Sequence, residues 1–273
     1  MIDNRIEYNQ LIKDKIKSYY KSYYKDSLGI ANWEELCEQR VYEEDIYCGR
    51  FIERIKSWID YDFLDKKVLV VGSGTGGELV NFFKEGAEVF GIEPYLPAIE
   101  ICHLKAEFVG LKKENIIQSS AEQVKFGDNS FDFVYCFTVL EHVNDVEQSI
   151  SEMFRVTKPG GFIFIQTPDY RQLYEGHYKI PLPMFLPNIF NRIILKALGR
   201  PSNFLRTIQK VNTFSIRNIL KKYNAVSLRI YTQEDNRTSG RVIVRIIFLI
   251  QDLINKYIDA PISQVWLVRK KGK

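Results

Sequence analysis

The sequence predicts an α/β protein: a doubly wound, mostly parallel sheet of seven strands, preceded by helices and carrying an inserted lid. Three observations carry this prediction. From Lys67 to Thr167, short apolar runs alternate with helical segments. A glycine-rich turn joins the first run to its helix. After an interruption spanning 168–214, two more apolar runs follow, with helices beside them. Such alternation implies parallel strands covered on both faces, and right-handed crossovers then place ligands at the carboxyl ends of the strands.

Residues 1–66 read as a helical extension. The Lys/Tyr-rich start carries Tyr19, Tyr20, Tyr23 and Tyr24 at helical spacing, and Trp33 to Ile59 keeps Ile46, Phe51, Ile55 and Ile59 among charges. Residues 67–273 form the main domain. KVLVV from Lys67 is apolar throughout, as a strand buried on both sides must be. A helix is expected from Gly77 to Lys84, a strand over EVFGIE, a helix from Ala98 to Val109 and a short strand over NIIQ. SFDFVYCF is the fourth strand and Val146 to Val156 a helix. GFIFIQT is the fifth strand, entered through the turn KPGG. Beyond the insertion come a helix over Ser215 to Lys222, the strand SLRIY, a helix over Val242 to Ile258 and the strand QVWLVRK.

Composition bounds the rest. The chain is 45% apolar and 26% charged, ordinary for a globular protein. Its four cysteines show no CxxC or zinc spacing, so no metal-ligand motif is read. Cys102 and Cys136 fit buried thiols in a reducing cytoplasm. The start MIDNRIEYNQ predicts no signal-peptide core, and the longest apolar run, Ile246 to Ile250, is far short of a membrane span. Residues 1–170 hold 19 Lys/Arg against 29 Asp/Glu, while 171–273 hold 19 against 5. A basic C-terminal third predicts an anionic partner: phosphate, nucleic acid or membrane surface.

The motif VLVVGSGTGGE satisfies G-x-G-x-x-G with Gly72, Gly74 and Gly77, and G-x-G-x-G with Gly72, Gly74 and Gly76. Either pattern lets backbone amides approach a ligand, and Glu93 stands where an acid grips ribose hydroxyls. These residues leave a nicotinamide dinucleotide and an adenosyl cofactor both open.

The segments SAEQ (120–123), FGDNSFDFVYCFTVLEHVND and MFRVTKPGGFIFIQTPD make an ordered series. It resembles the class I S-adenosylmethionine-dependent methyltransferases, nearest the small-molecule branch that includes ubiquinone-pathway and sugar methyltransferases. The resemblance runs from Val68 to Asp169, and more weakly to Tyr231. It implies a Rossmann-like methyltransferase fold and S-adenosyl-L-methionine as cofactor. It assigns Gly72, Gly74 and Gly76 to the methionine and ribose parts, and Glu93 to both ribose hydroxyls. Ala121 and Glu122 fall to the adenine loop, and Phe137 and Thr138 to the segment under the methionine. His142 matches the histidine of the L-x-H-V type turn. The chain departs from the pattern at Val70, Ser120 and Asn212, where the family commonly has two acids and a histidine.

Methyl transfer asks a protein chiefly to align three atoms and exclude water, with a base for a hydroxyl acceptor. His177, eight residues past Asp169, is the expected base; His142 is second, with Asp169 and Tyr170 behind them. A capping or wall role is the competing account of His142. Asp132 is expected to fix a strand entrance. Arg50 and Tyr42 either reach over the cofactor or, for Arg50, pair on the surface with Glu43, Glu44 or Glu53.

The insertion IPLPMFLPNIFNRIILKALGRPSNFLRTIQK holds five basic residues and no acid. Pro181, Pro183 and Pro187 favour an extended entry before an amphipathic helix from Asn188 to Leu198. It reads as a lid, as a membrane-docking surface shared between basic residues 179–210 and 241–256, or as a homodimer contact. The expectation is a cytoplasmic enzyme, peripheral at a membrane in the docking reading. It would methylate a small-molecule or lipid- or nucleotide-linked saccharide acceptor at oxygen. The alternative is a non-catalytic S-adenosylmethionine-binding regulatory or scaffold subunit. Nucleic acid is disfavoured, because CFTV stands where an N-P-P-Y-type tetrapeptide would follow the fourth strand.

Overall fold

The computed structural model describes residues 2–230 and 242–272. Tyr231 and Arg241 lie outside the described residues, as does the side chain of Arg245. Two long helices come first, α1 (Ile2–Lys21), running into a π-helical turn over Ser22–Ser27, and α2 (Trp33–Ile59). The alternating part follows as β1 (Lys67–Val71), α3 (Gly77–Lys84), β2 (Glu88–Glu93), α4 (Leu96–Val109), β3 (Ile116–Gln118), β4 (Phe131–Phe137), α5 (Val146–Val156) and β5 (Thr157–Pro168). The insertion contributes a small hairpin, β6 (Tyr174–Glu175) and β7 (Ile180–Pro181), then α6 (Asn188–Ala197). The chain ends with α7 (Thr213–Leu220), β8 (Ala225–Ile230), α8 (Val242–Ile258) and β9 (Ser263–Lys270).

Seven strands join in the order β3-β2-β1-β4-β5-β9-β8. The first five are mutually parallel, whereas β9 runs antiparallel to both β5 and β8. The alternation expected of a strand buried on both faces is visible in β1. Val68 and Val70 enter one core with Phe51, Ile52 and Ile55 of α2, Phe82 of α3 and Cys102 of α4. Leu69 and Val71 enter the opposite core with Ile150 and Met153 of α5 and Ile216 of α7. All four strand residues are at most 1% exposed, and each buried side chain of this size contributes about 1.5–3 kcal/mol.

Boundaries moved where local chemistry overrode periodicity. Helix α4 starts at Leu96 rather than Ala98, because proline is accepted in a first turn that has no amide partner to lose. Helix α7 starts at Thr213, because Asn212 and Ser215 form a capping box; the asparagine that departs from the family pattern is the cap. Strand β5 absorbs KPGG, with Gly160 at φ 81° and a register shift against β4 between Phe131 and Phe133. Asp132 does fix the strand entrance, accepting from the Lys67 amide (2.9 Å) and pairing with Lys158 (2.8 Å).

A third core lies off the sheet. Tyr24, Leu28 and Leu36 of the N-terminal helices pack there with Tyr178, Leu182, Met184, Leu195 and Leu205 of the insertion. The two segments most distant from the sheet in sequence character thus hold each other in place.

Candidate active site

Strand β1 has β2 on one side and β4 on the other, so the chain leaves it at the point where the winding reverses. A crevice at the carboxyl ends is the geometric result. Here it is a cleft of about 800 Å³.

The turn after β1 forms its floor. The amides of Gly72 and Ser73 donate to the Ile92 carbonyl (2.8 and 3.0 Å), tying the turn to β2. Gly72 sits at φ 69°, and any Cβ there would lie 2.4 Å from Val139 Cγ2. Gly74, at φ 52°, is different: a Cβ there would meet nothing within 4 Å. The backbone at Gly74 therefore borders open space that a side chain would otherwise occupy.

Glu93 ends β2 and lines the cleft. Its carboxylate accepts from the Gly74 amide (3.1 Å) and the Tyr95 amide (3.0 Å). Burial pushes its pKa up, with those two bonds working against the rise. Two amides leave further lone pairs of the carboxylate free to accept. Ala121 and Glu122 line the neighbouring wall. Glu122 Oε1 accepts the Asn144 amide (2.7 Å), so this carboxylate joins two loops of the rim.

Phe137 and Thr138 stand at the end of β4. Thr138 is held at φ 53°, a region non-glycine residues seldom adopt, and its amide donates to the Gln166 carbonyl (2.9 Å). Gln166 itself lines the cleft at 4% exposure, and its side-chain Oε1 has no partner among the described residues. No motif in the sequence marks this residue. Its signal was present as a single amide at the end of an otherwise apolar strand.

The roof is the larger surprise. Tyr20, Tyr24, Arg40, Glu44 and Tyr47, all from the helical extension, line the cleft. Glu44 is 7% exposed and binds the glycine turn through Thr75 Oγ1 (2.5 Å). The same carboxylate accepts from Tyr20 (3.0 Å) and from Lys105 of α4 (2.7 Å). Burial works to raise the Glu44 pKa, but Lys105, Arg40 and these bonds overcome it and hold the group below its ordinary value. Lys105 is raised: burial opposes its charge, and Glu44 and Asp45 outweigh that. Arg40 lies over the Tyr20 ring at 5.0 Å and donates to Tyr24 (3.0 Å). Neither Arg50 nor Tyr42 lines the cleft, and Glu44, one of the carboxylates expected to pair with Arg50, is committed to Lys105. Of the insertion, the described lining includes Lys179 alone.

His142 lines the cleft; His177 does not. Their rings meet nearly edge to face at 5.0 Å, with the Phe204 ring against both. Surrounding walls and then His177 push the His142 pKa down, although its ring is open to cleft water, which blunts the effect. His177 Nδ1 lies 2.6 Å from Glu175 Oε1. Burial works against its charge, but Glu175 and Glu141 raise its pKa. Glu141, fully buried, is pushed up to about 7 by desolvation. Asp169, named behind the histidines, is taken up by Arg171 and by the Thr213 amide and hydroxyl (2.9 and 2.8 Å). Tyr170 is 2% exposed.

Residues 69–165 match a family model described as a methyltransferase domain. The ubiquinone biosynthesis O-methyltransferase of Aliivibrio fischeri is 37% identical over 103 residues, 37% of this chain and 44% of that protein. The sterol 24-C-methyltransferase of Aspergillus fumigatus is 42% identical over 141 residues, 49% of this chain and 37% of that one. The chain thus spans less than half the length of these curated relatives. Among solved structures, a SAM-dependent methyltransferase from Archaeoglobus fulgidus superposes with TM-score 0.52 at 17% identity, covering 86% of this chain and 99% of that one. An S-adenosylmethionine-dependent methyltransferase from Mesorhizobium loti gives 0.55 at 13% identity over 80% and 96%. At such identities the likeness concerns the fold.

Proposed function

We propose that this chain, whose residues 69–165 form a class I S-adenosylmethionine-dependent methyltransferase domain, transfers a methyl group from that cofactor to a small-molecule acceptor. The observation that carries the proposal is the pairing of Gly74 with Glu93: open space over a glycine backbone, beside a carboxylate that two amides hold at the strand end. The residues present fit the cofactor. Glu93 would hold the ribose hydroxyls, and the apolar Ala121 wall would take the adenine. Gln166 Oε1, buried and unpartnered among the described residues, offers an acceptor towards the methionine end. Acidic lining at Glu43, Glu44, Glu78 and Glu93 suits a sulfonium cation.

S-adenosylmethionine, when bound, supplies a methyl group already activated on sulfur. What remains for the protein is orientation and exclusion of water. Tyr20, Tyr24 and Arg40 close the roof, and Glu44 fastens that roof to the glycine turn. His142, on the wall, is the group placed to meet the acceptor; Glu175 and His177 stand behind it.

The acceptor we infer is a saccharide carrying a lipid or nucleotide phosphate, methylated at oxygen. Supporting this are Arg40 and Lys179, the two Lys/Arg side chains among the described lining residues, and the basic C-terminal third. Titration calorimetry with S-adenosylhomocysteine should give one site per chain, and NAD should leave the melting temperature unchanged. Turnover to S-adenosylhomocysteine should rise when hydroxylated, phosphate-bearing acceptors are added. Tight cofactor binding without turnover for any of them would turn the reading to a non-catalytic binding subunit. His142→Ala should lower kcat by about 10²-fold with cofactor affinity intact, the scale of a lost positioning contact to the acceptor.

Peripheral docking on an anionic membrane belongs to the same reading. Helix α6 exposes Ile189, Phe190 and Ile193 (52–59%) with the basic Arg192 and Lys196 on the same helix. No described helix is long and apolar enough to cross a membrane. The chain should float with vesicles rich in phosphatidylglycerol at low salt, and Phe190→Asp with Ile193→Asp should abolish flotation. Equal recovery with neutral vesicles would remove the electrostatic part.

A further inference from the structure

Behind the cleft wall, Glu141, His142 and His177 bring one carboxylate oxygen and two imidazole nitrogens within 4.8 Å of one another. The grouping joins the turn after β4 to the β6–β7 hairpin, 35 residues on, so no spacing motif announces it.

Its composition poses a charge problem. Glu141 is 0% exposed and Glu175 1%, yet neither is within salt-bridge distance of a described Lys or Arg. Glu175 has partners for both oxygens, His177 Nδ1 (2.6 Å) and the Tyr178 amide (2.6 Å). Glu141 has a partner for one only. Its Oε2 accepts from Thr167 (3.0 Å), and its Oε1 is buried with none among the described residues. A buried carboxylate oxygen left unpaired is costly, and the remedies are a proton, a cation or a metal ion.

We propose that Glu141, His142 and His177 form a site for one divalent transition-metal ion, with Glu175 as the positioning residue behind His177. Two imidazoles and a carboxylate suit zinc, manganese or iron(II) better than calcium or magnesium, which prefer oxygen throughout. The Glu175–His177 pair has the arrangement that metal-bound histidines ordinarily show. A carboxylate holds Nδ1–H, fixes the tautomer and leaves Nε2 with its lone pair. Bonds of about 2.0–2.2 Å to one ion place donors some 3–4 Å apart, so closure asks for an inward shift of about 1 Å. His142, exposed on the cleft wall, is free to make it. The ion would offset the charge of the two carboxylates, and its open positions would face the cleft past His142. That oxygen atoms of an acceptor would fill those positions rests on the methyl-transfer reading; the metal site itself does not.

The test uses the full chain, stripped with chelator and dialysed, with no cofactor added. Titration calorimetry with MnCl2 and ZnCl2, and the Mn2+ EPR signal, should report one ion per chain, and MgCl2 at equal concentration should bind at least 10-fold more weakly. His177→Ala and His142→Ala should each cut affinity by more than 10-fold. Glu175→Gln should cut it by about 10–100-fold, the effect usual for a second layer of support. His103→Ala, a histidine bonded to the Ile116 carbonyl elsewhere in the fold, should change nothing. Glu141→Gln is judged beside its circular dichroism, since a buried substitution can unfold the chain; His142→Ala, being exposed, keeps the test decisive. Absence of one-to-one binding to the wild-type chain, or binding that the two histidine variants leave untouched, overturns the proposal. Because no cofactor or acceptor is present, that result would leave the methyl-transfer reading standing.

Discussion

Glu93→Gln is expected to weaken S-adenosylhomocysteine binding by about 10²-fold or more while leaving the fold in place. A hydrogen bond to a charged group contributes about 1.5–3 kcal/mol, and two ribose hydroxyls facing one carboxylate lose both at once. Glutamine keeps the volume of the side chain and retains a carbonyl for one of the two amides, from Gly74 and Tyr95, that the carboxylate now accepts. Melting temperature should therefore move by only a few degrees, whereas calorimetric affinity falls sharply. Equal affinity in the variant would detach Glu93 from the ribose and with it the main support for the cofactor's pose.

The second large effect is on stability. Glu44→Ala removes the carboxylate that meets Lys105 at 2.7 Å, and both side chains are at most 10% exposed. Breaking one side of a buried pair costs about 3–5 kcal/mol, because the other charge stays buried; Lys105 then keeps only Asp45, a longer contact at 3.4 Å to a half-exposed carboxylate. At roughly 2–4 °C per kcal/mol for a chain of this size, the melting temperature should fall by about 10 °C. Lys105→Met in the same chain should restore much of the loss, since the stranded charge is then gone. The pH dependence has a definite sign. Glu44 titrates below its ordinary value when folded, so its contribution is complete above an unfolded value of about 4.3 and is lost as pH falls through the folded one. The stability gap between wild type and Glu44→Gln should accordingly close on acidification below about pH 4. A gap that widened there would contradict the assignment.

These two residues differ in how far the sequence announced them. Glu93 follows from its distance past the glycine turn and its place at the end of an apolar strand. Glu44 sits in a helix rich in acids, where nothing in the local pattern sets it apart from Glu43 or Asp45. The same holds for Arg40 against Arg50: both are arginines on α2, and only the packing of that helix over the cleft decides which one faces it. Gln166 lay between. A lone amide closing GFIFIQT is unusual, but its unpartnered oxygen is a fact of the folded wall.

What the sequence by itself determined is the order and kind of the elements, the doubly wound sheet and the glycine turn with Glu93 beyond it. Apolar runs, helical periodicity and turn glycines act within a few residues, so they are written locally. Tertiary structure alone decided which distant segments meet. It laid Tyr20, Arg40 and Glu44 over a turn that begins 28 or more residues further along, set the insertion against the N-terminal helices, and brought Glu141 and His142 to His177. Contacts of that range are set by how packed faces close on one another, and no single stretch of chain carries their record.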